Sequence, residues 1–246
     1  MIKEERLRFN GKRAWFVTPE NKYGLSKYPL RNITNSNFTF LVKTRVNWDV
    51  MDTNVEFGKE CGILVKNGKH LGLSAVKSYD GEHAYAKGTI WTVMDDGSIK
   101  NWDVLFKLNW EESDWDKEYN LAFSVNLEKK YFFVYGDGKI SRIDYEGELV
   151  DYTTSWLWFG ASNPLDSCPD EFKNFFYGDI INAGIYSSAL TIDEIDKIYS
   201  DLENNFDLYN PVCFFDFRKR TPYKILDISN TGNNLIKFDT RWMDSI

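Results

Sequence analysis

Trp91, Trp102, Trp110 and Trp115 fall in one stretch of the chain, interleaved with Asp95, Asp96, Asn101, Asp103, Asn109 and Asp114. Indole rings offer broad apolar faces that accept the C–H side of a sugar ring, and they keep one polar N–H handle. Planar carboxylate and amide groups pair with sugar hydroxyls, and a site built to do so rejects ligands that leave those groups unpaired. The chemistry this pattern points to is carbohydrate recognition. The candidate binding residues are Trp91, Asp95, Asp96, Trp102, Trp110, Asp114 and Trp115. Charged neighbours on both sides make Trp115 the expected exposed ring. Trp102 and Trp110 have a competing reading as core residues, with the nearby acids solvating turns. Trp48, Trp156 and Trp158 sit on predicted strands and are assigned to the core.

Groups that could break bonds are sparse. His70 follows the turn Asn67-Gly68-Lys69, and His83 follows Tyr79-Asp80-Gly81-Glu82, so both read as turn residues. No zinc, dinucleotide or P-loop spacing is present. The cysteines Cys61, Cys168 and Cys213 are odd in number and match no metal or redox spacing, so they are expected as reduced, buried thiols. The net charge of −7, from 30 Lys+Arg against 37 Asp+Glu, argues against a nucleic-acid or anionic-membrane partner. Arg218-Lys219-Arg220 reads as a solvated turn. No apolar run approaches the ~18 residues of a membrane span. The charged start, Met1 to Arg6, lacks the apolar stretch of a signal peptide. Synthesis without a signal peptide, in a reducing cytoplasm, is therefore expected, with a virion or cell surface as the final site. The sequons at Asn32 and Asn37 bear on this only in a eukaryotic secretory route.

The elements that must position these residues are mostly strands. Phe38, Phe40, Val42, Val46 and Trp48 alternate with Thr39, Lys43, Arg45 and Asn47, the period of a half-buried strand. Similar runs occupy 62–66, 71–78, 84–93, 104–108, 121–127, 131–135, 140–145, 156–160, 179–186 and 211–217. Glu128-Lys129-Lys130 and Gly136-Asp137-Gly138 supply tight turns, which makes 121–145 an antiparallel meander. Thr191-Ile192-Asp193-Glu194 is a capping box. It opens a helix whose apolar stripe is Ile192, Ile195, Ile198, Tyr199 and Leu202, ended by Asn204-Asn205. The fold class expected is all-β, an antiparallel two-sheet β-sandwich with one short α-helix in the C-terminal half. The length of 246 residues suits one such domain spanning 1–246.

The order of pieces resembles the laminin-G-like jelly-roll family of concanavalin-like sandwiches. The residues that carry the resemblance are Leu7-Arg8-Phe9-Asn10-Gly11, Asn37-Phe38-Thr39-Phe40, the segment Tyr131 to Lys139, and Trp158-Phe159-Gly160-Ala161. The most specific block is Phe176-Tyr177-Gly178-Asp179-Ile180, followed by Ile185-Tyr186-Ser187-Ser188-Ala189-Leu190-Thr191 and Glu194-Ile195. The segment 212–217, followed by Asp227-Ile228-Ser229-Asn230-Thr231-Gly232-Asn233, resembles the family's usual beginning, yet it stands at the end of this chain. The resemblance therefore implies a circularly permuted arrangement. In it, 204–246 is a C-terminal extension whose strand 212–217 lies near 179–186 and closes the sandwich. A truncated second repeat is the alternative, but a stub of ~35 residues is too short for its own core.

The resemblance also bears on chemistry. Laminarinase-like members use a Glu-x-Asp-x-x-Glu strand, whereas the nearest segment here, Glu112 to Lys117, has Lys117 in place of the second Glu. No sialidase-type Asp-box is present. No catalytic residues and no enzyme activity are expected. No metal or cofactor is expected either. Calcium is the one candidate, since many members place an Asp after the Phe-x-Gly-x-Ile block. Here Ile181 and Asn182 follow, which leaves Asp179, Asn182 and Asp216 as possible oxygen donors. The expected function is a non-catalytic carbohydrate- or surface-recognition module, with a polysaccharide or glycoconjugate as partner. A virion structural, decoration or tail-appendage protein that contacts other assembly subunits is the alternative. A divergent glycoside hydrolase or lyase is the third reading.

Overall fold

The computed structural model describes residues 8–10, 15–17, 33–48, 59–66, 71–78, 81–109, 117–150, 157–160, 176–220, 224–229, 231 and 233–238. In chain order the strands are β1 (Arg8–Asn10), β2 (Trp15–Val17), β3 (Phe38–Val46), β4 (Lys59–Lys66), β5 (Leu71–Lys77), β6 (Ala84–Val93), β7 (Ile99–Lys107) and β8 (Glu118–Asn126). They continue as β9 (Tyr131–Gly136), β10 (Lys139–Asp144), β11 (Glu148–Leu149), β12 (Leu157–Phe159), β13 (Tyr177–Tyr186), β14 (Pro211–Arg220), β15 (Lys224–Asp227) and β16 (Leu235–Phe238). Two helices, α1 (Ile192–Ser200) and α2 (Leu202–Asn205), lie between β13 and β14.

Every ladder among the described residues is antiparallel. The hydrogen-bonded path runs β10-β9-β8-β3-β13-β14-β15-β16-β2-β12-β4-β5-β6, with β7 and β11 on β6 and β1 on β13. This path folds over through β15, β16, β2 and β12. It thereby becomes two facing layers, one ending in β10-β9-β8-β3-β13-β14 and the other in β4-β5-β6-β7, with β7 and β6 packed over β9 and β5 over β8 and β3. The all-β two-layer antiparallel sandwich expected from the strand pattern together with the family resemblance is the architecture observed. β14 pairs with β13, Asn182 opposite Asp216 and Ile185 opposite Cys213, so the C-terminal strand lies in the same layer as 179–186.

Alternation fills the space between the layers. Phe38, Phe40 and Val42 of β3, Leu121, Phe123 and Val125 of β8, and Phe132 and Val134 of β9 all point inward and are buried. Their rings meet at tilted and edge-on angles, with 5.1 Å between the Phe38 and Phe40 centroids and 5.8 Å between Phe123 and Phe132. Each such ring is worth roughly 1.5–3 kcal/mol of burial. Thr44 shares that inward face and is reconciled with it by donating Oγ1–H to the Asp179 carbonyl at 2.8 Å. Trp48 and Trp158 are buried, while Trp156 lies outside the described residues.

The two layers differ on their outer faces. On the first layer Leu41, Phe133, Tyr135, Tyr186 and Phe214 point outward and are covered by Ile195 and Ile198 of α1. Covered on both sides, β13 is buried from Gly178 to Tyr186. The capping box is formed: Thr191 Oγ1 accepts from the Glu194 N–H, and the Thr191 N–H donates to Glu194 Oε2 at 2.8 Å. The sequence pattern reads as one helix through Leu202. The structure breaks it at Asp201, whose φ of −153° lies outside helical space, and resumes as the short α2. The second layer carries no helix among the described residues, and β7 is exposed at every residue but Trp102, Val104 and Phe106.

Cys61 and Cys213 are free thiols buried in the core, and Cys168 lies outside the described residues. Burial pushes the Cys61 thiol up to about 12, against a smaller lowering by backbone hydrogen bonds. Reactivity follows the thiolate. Iodoacetamide at pH 8 is therefore expected to leave both cysteines unmodified in the native protein and to alkylate both in denaturant, as read by peptide mass. Native-state labelling of either would contradict this burial.

Candidate binding face on the second layer

Period 2 sorts the side chains of β6 into two sets. Ala84, Ala86, Gly88 and Ile90 face the core, where a Cβ on Gly88 would stand 2.7 Å from Phe123 and Val134 of the opposite layer. Tyr85, Lys87, Thr89, Trp91 and Val93 therefore face outward. The ladder with β7 sets Thr89 opposite Asp103, Trp91 opposite Asn101 and Lys87 opposite Leu105, which places those β7 residues on the same outer face. From β5 and β4 the register adds Ser74 beside Lys87, and Glu60 beside Val76 and so Tyr85.

These side chains form one polar ladder. Lys87 Nζ lies 2.7 Å from Glu60 Oε2 and 3.7 Å from Asp103 Oδ2. Thr89 Oγ1 donates to Asp103 Oδ1 at 2.7 Å, and Asn101 Nδ2 donates to Asp103 Oδ2 at 3.2 Å. Asp103 is held by three strand neighbours while its side chain stays 37% accessible, so lone pairs still face solvent. Half-buried Trp91 stands beside this network, and the exposed Val93, Ile99 and Leu105 give the face an apolar margin.

The candidate residues do not all meet there. Trp91 is on this face. Trp102 is opposite Ile90, so it points to the other side of the sheet, where its Nε1–H donates to Thr92 Oγ1 at 2.9 Å. There it packs against the edge of the core, with Lys100 Nζ 3.7 Å above the ring. Trp91 and Trp102 thus form no common platform. Asp95 and Asp96 are exposed in the hairpin turn. Asp96 is a turn residue by its bonds: Oδ1 accepts from the Ser98 N–H at 2.9 Å and from Ser98 Oγ at 2.6 Å, and these bonds hold its carboxyl below the usual range. Trp110, Asp114 and Trp115 lie outside the described residues, as do the segment 112–116 and His70. The half-buried His83 anchors a turn through its backbone N–H on Ser78 Oγ, 2.8 Å away. Glu60, Lys87 and Thr89 do not stand out in the sequence. The one signal for them was the parity that Lys87 and Thr89 share with Trp91.

Of the possible calcium donors, Asp216 is engaged otherwise. Asp216 is bound at two points by Arg218, Nε to Oδ1 at 2.8 Å and Nη2 to Oδ2 at 3.0 Å, and it also accepts the Arg218 N–H at 3.1 Å. Burial raises the Asp216 carboxyl, but the Arg218 bonds and charge outweigh it and leave a net lowering. No group of three or more acidic, His or Cys side chains suited to a metal occurs among the described residues.

No family model matches the chain, and no curated protein matches it in sequence. Its fold does have solved counterparts. The heptameric SAP-like pentraxin of Limulus polyphemus superposes with a TM-score of 0.51 at 9% identity, covering 97% of both chains. A candidate carbohydrate-binding protein from Bacteroides ovatus superposes with a TM-score of 0.55 at 12% identity, over 94% of this chain and 58% of that one. The enzymatically active domain of tailspike protein 2 from bacteriophage CBA120 reaches 0.48 at 14% identity, over 75% of this chain and 27% of that one, too loose a likeness to carry an argument. The chain has the concanavalin-like β-sandwich fold, and at these identities the likeness extends to fold alone.

Proposed function

We propose that the chain is a non-catalytic carbohydrate-recognition module and that the outer face of β6 and β7 docks a polysaccharide or glycoconjugate. The observation that carries this reading is the Glu60–Lys87–Asp103–Thr89 ladder beside Trp91. It offers fixed donors and acceptors at one edge of an indole ring, on a sheet face that no helix covers among the described residues. The Bacteroides ovatus counterpart is consistent with this use of the fold. The same ladder argues for binding without cleavage. Retaining hydrolysis sets two carboxyls ~5 Å apart across an open gap that holds the glycosidic oxygen. Here Lys87 Nζ stands in the gap between Glu60 and Asp103. No cofactor enters the reading, because Asp103 is oriented by hydroxyl, amide and ammonium donors. Such a module would act where polysaccharide is displayed, on a cell or virion surface.

Affinity electrophoresis against bacterial and algal polysaccharides, with and without EDTA and with a reducing-end assay, tests the proposal. Retardation without new reducing ends is expected, unchanged by EDTA. Trp91→Ala and Asp103→Ala are each expected to weaken it at least about tenfold, as loss of a central contact of ~1.4 kcal/mol does. Retardation by none of the polymers would overturn the reading in favour of contacts with assembly subunits. New reducing ends would overturn the non-catalytic part, and sensitivity to EDTA the part without a cofactor.

A further inference from the structure

A cleft of about 320 Å³ lies on the first layer, on the opposite outer side of the sandwich. Its floor comes from Lys43 and Arg45 of β3, Asp179 and Asn182 of β13 and Arg218 of β14, and its roof from the junction of α1 and α2. We infer that this cleft binds a neutral, polyhydroxylated small molecule, one monosaccharide residue in size. The inference is independent of the outer face of β6 and β7.

The sheet is built irregularly to make this floor. Asp179 and Asn182 are three residues apart, so in a regular strand they would point to opposite faces. A bulge between Ile180 and Asn182 inserts Ile181 without a partner in the ladder to β3, so Asp179 lies opposite Arg45 and Asn182 opposite Lys43, on one face. Bulges of this kind re-aim side chains and collect beside binding sites. What this one aims into the cleft is an amide. Asn182 is 5% exposed and lines the cleft, and its side chain makes no hydrogen bond to the described residues. The amide opens onto the cleft rather than being sealed in protein, so its oxygen and its N–H groups are placed to meet a ligand's donor and acceptor.

The charges point to a neutral ligand. Lys43 Nζ is 2.9 Å from Glu118 Oε2, and Arg45 pairs with the same carboxylate. Arg218 is held by Asp216 at 2.8 Å and by Glu203 at 3.1 Å. An anionic ligand would have to displace one of these carboxylate partners, whereas hydroxyl groups can bridge them. The aliphatic Ile181 and Leu202 supply a wall for C–H bonds. Tyr199 serves the roof rather than the ligand: its hydroxyl lies 2.6 Å from the Leu121 carbonyl and 3.1 Å from that of Val42, and its ring stacks on Tyr135 at 5.9 Å. A volume of this size stands at the lower end of the ~300–1,000 Å³ of small-molecule sites.

The test is a ¹⁵N–¹H titration of the full chain with the methyl glycosides of glucose, galactose and N-acetylglucosamine. At least one is expected to shift the amides of 179–182 and 199–203. Asn182→Ala, which breaks no hydrogen bond within the described protein, is expected to weaken that response about tenfold. Leu202→Trp, which fills the cleft from the roof and leaves the sheet alone, should abolish it. Shifts of 85–91 and 101–105 report separately on the other face. The inference is overturned if none of the three glycosides moves the cleft amides, if the response survives both variants, or if acetate or phosphate moves those amides and the glycosides do not.

Discussion

Gly178→Ala is expected to lower stability by more than ~3 kcal/mol, a large fraction of the ~5–15 kcal/mol of a domain of ordinary stability. Gly178 has φ +148°, a backbone conformation that side-chain-bearing residues rarely adopt. A Cβ there would stand 2.0 Å from the Arg45 carbonyl oxygen and 3.0 Å from the Phe176 ring. The backbone has no room to yield. Gly178 pairs with Val46 of β3 on one side and Phe9 of β1 on the other, so any shift opens two ladders. Urea unfolding checks the expectation through the midpoint at constant slope. Gly97→Ala is the control: Gly97 has φ +79° with nothing within 4 Å, so only a backbone cost of about 1 kcal/mol applies. Equal effects at the two glycines would mean that the close approach at Gly178 contributes nothing.

Asp227→Asn is the second large effect, and it depends on pH. The Asp227 carboxylate accepts the Phe214 and Ser229 N–H groups at 3.0 Å, the Ser229 hydroxyl at 2.6 Å, the Thr231 hydroxyl at 2.6 Å and the Asn233 N–H at 3.0 Å. It thereby holds the turn after β15 against β14. Burial raises this carboxyl, but the hydrogen bonds from Ser229, Thr231 and Phe214 outweigh it and leave a net lowering. A carboxyl lowered in the folded state stabilises the protein above the unfolded value of ~3.9, and that contribution is lost as pH falls through the folded value. At pH 7 the variant is expected to be roughly 2–4 kcal/mol less stable, because an amide meets donors with its own N–H groups. The gap between wild type and variant should narrow as pH falls below about 4. Asp216, unchanged in both proteins, cancels from that difference. A gap that stays constant from pH 7 to strongly acid solution would show that Asp227 acts through shape and not charge.

Gly178 and Asp227 both belong to sequence blocks that stand out by family resemblance, and the structure supplies physical reasons for them. The glycine of Phe-x-Gly-x-Ile is where three strands meet too closely for a Cβ. The aspartate of Asp-x-Ser-x-x-Gly-Asn gathers the donors of its own turn. Strand positions were legible because alternation is local: 131–135 and 140–145 read correctly to within one residue at each end, and 121–127 to within three. β7 was legible only from Val104 onward. Its first half, Ile99 to Asp103, is held by pairing with Thr89 to Val93, and on an exposed edge with Lys100, Asn101 and Asp103 no apolar alternation announces it. β15 and β16 escaped for a related reason: four-residue strands that bridge two layers carry too few side chains to show a period.

Residue types and spacing by themselves determined the class of the fold, the helix start at Thr191, the inward set of β3 and β8, and the concentration of Trp and Asp in 91–115. Only the tertiary structure decided which of those residues share a face. The hairpin register pairs Trp91 with Asn101 and Ile90 with Trp102. A slip of one residue would have put the two indoles on one side, because every side chain in a strand changes face with a change of register. That register is held by the turn, through the Met94 N–H on the Ser98 carbonyl at 2.8 Å and Gly97 at φ +79°. Glu60 reaches Lys87, and Asn182 joins Lys43 and Arg45, only through ladders and a bulge between distant segments. Periodicity is a property of neighbours along the chain, whereas a binding face is assembled across strands, where register alone decides which groups meet.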